Sequence, residues 1–97
     1  MASVYILYSK AYDSFYTGFT TESIAVRIQR HNEGYYDDKF TRSGKPWELF
    51  LEIPCASEGQ ARAIEKHVKS MKSRRYIENL KAYPEMIQKL LDRFPDS

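Results

Sequence analysis

The chain begins with two short apolar runs, Val4-Tyr5-Ile6-Leu7 and Phe15-Tyr16-Thr17-Gly18, which a polar segment separates. Aromatic and β-branched residues dominate both runs, and such residues favour β-strands. The residues from Lys10 to Ser14 are typical of a turn. The pattern therefore predicts a hairpin of two antiparallel strands over about residues 3–9 and 15–20, with one tyrosine inside each run.

A helix is predicted next, over about residues 22–33. Ile24 and Ile28 are spaced four apart, as on one face of a helix, and either Thr21 or Ser23 can cap its start. The polar and aromatic segment that follows predicts an exposed loop.

A third strand is predicted over residues 47–53, where Trp, Leu, Phe and Ile recur and a proline bounds the run at each end, Pro46 and Pro54. Ser57 and Gln60 then form a capping box, which predicts a helix over about residues 58–72. A shorter helix over about 74–82 and a last helix that begins at Pro84 complete the pattern.

These elements predict one α+β domain over residues 1–97: a three-stranded antiparallel sheet covered by helices, in the order β-β-α-β-α-α-α. Its core covers about residues 3–80, and a C-terminal helix covers about 84–94. The single cysteine, Cys55, cannot form an internal disulfide, and the N-terminus lacks the features of a signal peptide, which favours the cytoplasm. No apolar run approaches the roughly 20 residues that span a bilayer, so no membrane location is expected.

Three ionisable side chains on the predicted helices are candidates for a functional site. Arg27 and His31 lie four apart on one face, where they could handle a phosphate group or simply face solvent. Glu65 lies at the edge of the apolar stripe of its helix, where it could hold a divalent cation or pair with Lys69, four residues on. The spacing leaves these alternatives open.

The two tyrosines and the glycine that closes the second run have equally plain alternatives. Tyr5 and Tyr16 are good strand residues, and most strand tyrosines only pack. Gly18 could leave room beside a site or merely end the strand.

In their order and spacing, these residues resemble the GIY-YIG nucleases, over about residues 3–80. Val4-Tyr5-Ile6 is similar to the first signature tripeptide and Tyr16-Thr17-Gly18 to the second. The Pro46-Trp47 pair is similar to small stand-alone members, and the domain as a whole resembles the nuclease domain of the excision-repair incision subunit. Arg27 and His31 match residues of the family's first helix, and Glu65 matches its metal-binding glutamate.

The resemblance implies an endonuclease that hydrolyses phosphodiester bonds with one Mg²⁺ or Mn²⁺ ion, which Glu65 would hold. Arg27 would stabilise charge in the transition state, and His31 would orient the water or relay a proton. A signature tyrosine, either Tyr5 or Tyr16, would activate the water.

DNA is the expected partner, in structured or damaged forms as in DNA repair, and RNA stays open because no residue pattern here reads a 2′-hydroxyl. A monomer is the default, and a dimer stays open. Aromatic residues of the predicted loop could stack on bases or pack beneath the loop, and these are Tyr35, Tyr36 and Phe40.

Residues 60–81 carry seven basic and two acidic side chains. This concentration of charge could be a solvated face or a surface that binds the nucleic-acid backbone. In the second case, the contacts would come from Lys69, Lys72, Arg74 and Arg75.

Three departures from the family pattern are present, and one of them, Phe19, supports an alternative function. Val4 replaces the glycine of the first tripeptide, and Thr17 replaces the isoleucine of the second, but both tyrosines are retained. Phe19 follows Gly18 at a position where some members have a lysine near the scissile phosphate. The alternative is a catalytically weak module that keeps this fold and binds DNA or RNA.

Overall fold

The computed structural model describes residues 2–33 and 45–95. Within those residues the chain forms three strands and four helices in the predicted order, so the α+β class is confirmed. None of these helices is long and apolar enough to cross a membrane. The loop aromatics Tyr35, Tyr36 and Phe40 lie outside the described residues. The elements are β1 (Ala2–Ser9), β2 (Ser14–Thr20), α1 (Ile24–Glu33), β3 (Trp47–Cys55), α2 (Glu58–Met71), α3 (Arg74–Ala82) and α4 (Pro84–Arg93).

The sheet has the strand order β2-β1-β3, and both pairings are antiparallel. The strand β3 runs through Pro54 to Cys55, so the prediction that Pro54 bounds this strand is wrong. Proline lacks the amide hydrogen of a strand residue, but an edge strand tolerates it because one side of its backbone faces away from the sheet. Pro54 lies opposite Ser3 of the central strand β1.

Alternate side chains of β1 divide the molecule into two layers. Val4 and Ile6 face the main core, where they pack with buried residues of α2, α3 and α4. Tyr5 and Leu7 face the opposite side, where α1 covers them and Trp47 of β3 packs beside them. The candidate residues Arg27 and His31 of α1 therefore lie on the Tyr5 face of the sheet.

Polar side chains fix how α2 and α4 pack together. Ser57 caps α2 by accepting a hydrogen bond from the Gln60 amide at 3.1 Å, as the capping box predicts. The Gln60 side-chain oxygen accepts from the Ala56 amide, one residue earlier than in the usual box. The Gln60 side-chain nitrogen donates to the carbonyl oxygens of Leu91 and Phe94 at 3.3 and 2.9 Å. Gln60 thus ties the end of α4 to the start of α2.

Candidate active site

The hydroxyl group of Tyr5 is the centre of a buried cluster. Tyr5 lies in the central strand and its side chain is fully buried. Arg27 Nε donates a hydrogen bond to the Tyr5 hydroxyl oxygen at 3.0 Å, and His31 Nε2 lies 3.1 Å from the same oxygen. Arg27 and His31 are one turn apart on α1, so both reach the sheet from the same helix face. Three side chains from two elements therefore meet at one oxygen atom.

Tyr16 joins this group from the neighbouring strand β2. Its ring centroid lies 5.1 Å from that of His31 and 6.5 Å from that of Tyr5. The imidazole of His31 is only 2% exposed, and it contacts both tyrosine rings edge-on. Tyr16 is less buried than Tyr5 because β2 is an edge strand. These four residues, Tyr5, Tyr16, Arg27 and His31, are called the tyrosine cluster below.

Gly18 makes room for the Tyr5 side chain. The two residues are directly opposite each other in the pairing of β1 with β2. A β-carbon on residue 18 would lie 2.5 Å from the Tyr5 hydroxyl oxygen and 2.6 Å from its Cζ atom. The strand continues beyond Gly18 to Thr20, so this glycine does not end it. Glycine is needed here because the phenol lies against its backbone.

Asn32 holds the end of α1 against the start of β3. Its side-chain oxygen accepts a hydrogen bond from the Trp47 amide at 2.6 Å, and its side-chain nitrogen donates to the Trp47 carbonyl oxygen at 3.2 Å. The Trp47 ring packs against Tyr16, with ring centroids 6.0 Å apart. Asn32 therefore positions the helix that carries Arg27 and His31.

Glu65 lies in the other layer of the molecule. Its helix α2 packs on the sheet face of Val4 and Ile6, whereas Tyr5 points to the opposite face. The Glu65 side chain is 19% exposed, at the edge of the buried stripe as predicted, and its carboxylate lies 3.6 Å from Lys69 Nζ. The hydrogen bonds and ion pairs among the described residues do not connect Glu65 to the tyrosine cluster. Its role in the site stays a prediction.

An open cleft of about 410 Å³ separates the edge strand β2 from the junction of α2 and α3. Residues 14–17 of β2 form one wall of this cleft, and Lys69, Lys72 and Arg74 lie among the residues that line it from the other side. Arg75 is exposed in the first turn of α3. Three of the four basic residues that the sequence predicts as nucleic-acid contacts thus line one cleft, and their binding role stays a prediction.

Arg74 also has a structural partner in the turn between β1 and β2. Its guanidinium group donates to the Asp13 carboxylate at 2.8 Å and to the Asp13 carbonyl oxygen at 2.7 Å. Tyr8 donates its hydroxyl hydrogen to the same carboxylate at 2.6 Å. The Arg74 hydrogen bond, then that of Tyr8, lowers the pKa of Asp13, while the hydrogen bond to Asp13 raises the pKa of Tyr8. Arg74 therefore fastens α3 to the β1–β2 turn.

A sequence profile described as the GIY-YIG catalytic domain matches residues 1–78, which include every residue of the tyrosine cluster. The chain belongs to the GIY-YIG family. A UPF0213 protein of Syntrophus aciditrophicus (strain SB) is 34% identical over 73 residues, which cover 74% of this chain and 82% of that protein. No solved structure matches the chain. Membership of the GIY-YIG family implies nuclease-type activity on a nucleic acid.

GIY-YIG nucleases generally depend on a divalent metal ion. In residues 2–33 and 45–95, no group of three or more His, Cys, Asp and Glu side chains is placed to hold one. Mg²⁺ differs from most protein-bound metals because it often takes only one or two carboxylates, keeps several waters and binds substrate phosphate. A single, partly buried carboxylate such as that of Glu65 fits this kind of site.

Phe19, at the position where some GIY-YIG members have a lysine, packs against the main core on the α2 face of the sheet. The guanidinium carbon of Arg62 lies 5.6 Å from the centre of its ring. Arg62 also pairs with Glu58, with a nitrogen–oxygen distance of 3.9 Å. A cation of α2 thus lies beside Phe19, on the face of the sheet opposite the tyrosine cluster.

The sequence did not reveal the residues that support the GIY-YIG site. Asn32 is not among the candidate residues that the sequence identifies, and its contacts with Trp47 join residues 15 apart in the chain. The pairing of Arg74 with Asp13 joins residues 61 apart in the chain, and no local pattern predicts it.

Proposed function

We propose that the protein is a metal-dependent endonuclease that hydrolyses phosphodiester bonds in DNA. The observation that carries this proposal is the tyrosine cluster, in which two strands and one helix bring two phenols, a guanidinium group and an imidazole together. A cluster that only packed the core would not need a buried imidazole and an arginine nitrogen against a fully buried phenol oxygen, because burying polar groups is costly.

Burial suggests different roles for the two tyrosines. The Tyr5 hydroxyl is fully buried and already bonded to Arg27 and His31, so it serves to position those side chains. Tyr16 lies in the edge strand, is partly exposed and lines the open cleft. Tyr16 is therefore the residue that would meet the attacking water.

Arg27 is suited to stabilise the charge that develops during hydrolysis. Its Nε atom donates to the Tyr5 hydroxyl oxygen at 3.0 Å, and this contact fixes the orientation of the guanidinium group. A preorganised cation of this kind stabilises a phosphoryl transition state more than the ground state, because negative charge accumulates on the phosphate oxygens. The contact with Tyr5 thus holds the cation in one orientation before the substrate binds.

In the proposed reaction, Tyr16 first gives its hydroxyl proton to solvent, and the resulting phenolate accepts a proton from a water molecule as the oxygen of that water attacks phosphorus. The phosphorus bond to the leaving oxygen then breaks, and the leaving oxygen takes up a proton from solvent. His31, in edge contact with Tyr16, orients the phenol for this step. Glu65 would hold the divalent ion, which supplies a positive charge for the phosphate and the leaving oxygen.

The test is an assay of purified protein on single-stranded, double-stranded and branched DNA, with Mg²⁺ or Mn²⁺ and with a chelator. We expect cleavage that requires the metal and that falls at least about a hundredfold in Arg27→Ala, Tyr16→Phe and Glu65→Gln. Thermal unfolding of each variant establishes that the loss of activity is not a loss of folding.

Matched substitutions control for contamination and for changes in charge. Glu58→Gln makes the same change on the same helix as Glu65→Gln, and Glu58 likewise pairs with a cation four residues on. Tyr83→Phe removes an exposed hydroxyl as the control for Tyr16→Phe. Both controls should retain activity. Cleavage that persists in Glu65→Gln and Arg27→Ala alike would rule out this site, and binding without cleavage in any condition would favour the catalytically weak module.

A further inference from the structure

The cleft beside the tyrosine cluster has the dimensions of a nucleotide site. It lies between the edge strand β2 and the junction of α2 and α3, with a volume of about 410 Å³. Ligand pockets in proteins have volumes of about 300 to 1,000 Å³, so one nucleotide fits here and a duplex does not. The cleft and the tyrosine cluster meet at the edge strand β2, because Tyr16 lines the cleft while its ring contacts His31 on the opposite face of the sheet.

Apolar side chains line the inner part of the cleft. Val68 is almost fully buried, and Phe15 and Ile77 are partly buried against the same core. An apolar surface of this kind suits the face of a base, which proteins that bind single strands use without reading the sequence. Inorganic phosphate or a sugar would leave this surface uncovered.

The rim of the cleft is positively charged. Lys69, Lys72 and Arg74 line the cleft, and its lining includes no carboxylate among the residues that the structure describes. Lys69 pairs with Glu65, and Arg74 pairs with Asp13. Lys72 has no ion-pair partner in residues 2–33 and 45–95, so its charge is available to a bound phosphate.

The backbone conformation of Lys72 is an independent indication that its side chain has a function. Lys72 follows the last turn of α2 with φ 47° and ψ 40°, in the left-handed region. Glycine is the usual residue at this position because a β-carbon is sterically disfavoured there. A lysine at a position that favours glycine points to a function for its side chain.

We propose that this cleft binds one unpaired nucleotide of the substrate strand, beside the bond that is cut. The base lies on the partly exposed Phe15 and Ile77, and the phosphate lies against Lys72 and Lys69. This inference rests on the proposed function and narrows its substrate to strands with a single-stranded segment, such as flaps, ends and gaps. Bases within a duplex do not fit, because each base is stacked on its neighbours and only its edges are exposed in the grooves.

Binding is measured by fluorescence anisotropy in the presence of a chelator, so that no cleavage takes place. The probes are a single-stranded DNA oligonucleotide, its RNA counterpart, a blunt DNA duplex and the same duplex with a single-stranded flap. We expect the single strand and the flap to bind at least about tenfold more tightly than the blunt duplex. A series of single-stranded oligonucleotides, each with one abasic site at a different position, is also tested. Affinity should fall about tenfold when the abasic site lies at one particular position of the strand.

Two substitutions at Lys72 separate binding from folding. Lys72→Ala removes the charge, and Lys66→Ala removes the same charge from an exposed position of α2 outside the cleft. Lys72→Gly removes the charge and relieves the left-handed backbone, so this variant should be at least as stable as the original protein. We expect both Lys72 variants to bind the single strand about tenfold more weakly and Lys66→Ala to change binding far less.

The outcomes distinguish this inference from the proposed function. If the protein prefers single strands through Lys72 but never cleaves with metal, the cleft stands and the nuclease proposal fails. If it cleaves blunt duplex as well as flaps, and Lys72→Ala binds like Lys66→Ala, the nuclease proposal stands and the cleft is not a nucleotide site. Equal weakening of all probes by Lys72→Ala and Lys66→Ala would also overturn the inference, because it would indicate only a general effect of charge.

Discussion

Tyr5 and Gly18 face each other across the β1–β2 pair, and the Tyr5 phenol occupies the space in which a β-carbon of residue 18 would stand. The glycine of the second signature tripeptide is therefore needed by the tyrosine of the first. The two halves of the GIY-YIG signature form one packing unit. This unit fixes the phenol that in turn holds Arg27 and His31.

Gly18→Ala should damage both stability and activity. The added β-carbon would lie 2.5 Å from the Tyr5 hydroxyl oxygen and 2.6 Å from Cζ, so the fully buried ring would have to shift. Overpacking of this kind destabilises a protein by about 1–3 kcal/mol. We expect that loss in urea unfolding, together with a fall in nuclease activity. Tyr5→Phe in the same chain should not restore stability, because the Cζ atom remains.

Gly59→Ala is the matched control for that substitution. Gly59 lies in the first turn of α2, and its added β-carbon would meet only the Ser57 hydroxyl oxygen, at 3.9 Å. Alanine is a better helix former than glycine, so stability should be unchanged or higher by up to about 1 kcal/mol. Equal destabilisation by the two substitutions would contradict the packing argument for Gly18.

Tyr5→Phe and Tyr16→Phe should differ in what they disturb. Tyr5→Phe removes the buried oxygen that Arg27 and His31 share, and buried polar groups without a partner cost about 1–3 kcal/mol each. Tyr16→Phe removes a hydroxyl group from a partly exposed ring, so its loss of stability should be smaller. We expect Tyr16→Phe to cleave more slowly than Tyr5→Phe in single-turnover assays. We expect it also to be more stable than Tyr5→Phe in urea unfolding.

The reverse ranking would exchange the roles proposed for the two tyrosines. If Tyr16→Phe cleaves DNA normally while a folded Tyr5→Phe variant is inactive, Tyr5 is the residue that activates water. The cluster would then have to open for the substrate to reach a side chain that is fully buried in the free protein.

Local patterns were enough to predict most of the fold. The hairpin, the Arg27–His31 spacing and the Ser57 cap depend on residues close in the chain, and the structure confirms all three. The end of β3 was predicted wrongly because tolerance of Pro54 depends on whether the strand lies at the edge of the sheet. Strand order is a tertiary property, and the sequence of one strand does not contain it.

The candidate site was only partly predictable for the same reason. Spacing on α1 placed Arg27 beside His31, but their common contact with Tyr5 depends on how α1 lies across the sheet. The requirement for glycine at residue 18 could not be predicted either, because it depends on the register of β1 against β2. The periodicity that placed Glu65 at the edge of the buried face of α2 could not indicate which layer of the sheet that helix covers.

Asn32→Ala should loosen the contact between α1 and β3. The substitution removes both hydrogen bonds to the Trp47 backbone, and we expect a loss of about 1–3 kcal/mol in urea unfolding. Trp47 is the single tryptophan of the chain and is 2% exposed, so its fluorescence reports on this contact directly. Its emission should shift to longer wavelength in the variant as the ring becomes more exposed.

Two further variants test whether the effect at Asn32 comes from those two bonds. Asn32→Asp can still accept from the Trp47 amide but cannot donate to its carbonyl oxygen, so its stability should lie between the original protein and Asn32→Ala. Gln29→Ala removes an exposed hydrogen bond within the same helix and should change stability by no more than about 0.5 kcal/mol. An unshifted Trp47 emission in Asn32→Ala would show that other contacts hold this end of β3.

Asp13→Asn should make the stability of the protein less dependent on pH in the acid range. Hydrogen bonds from Arg74 and Tyr8 lower the pKa of the Asp13 carboxyl in the folded state. A carboxyl of this kind stabilises the fold above its unfolded pKa of about 4, and this contribution is lost as the pH falls through the lower folded value. We therefore expect the free energy of unfolding, measured in urea from about pH 7 down to about pH 2, to decline less steeply in Asp13→Asn than in the original protein.

Asp92→Asn is the matched control. Asp92 is an exposed carboxylate on α4 that bonds only to Gln88 among the described residues, so the stability of this variant should decline with pH like that of the original protein. Identical pH profiles for Asp13→Asn and the original protein would mean that the Arg74–Asp13 contact does not hold α3 to the β1–β2 turn in solution.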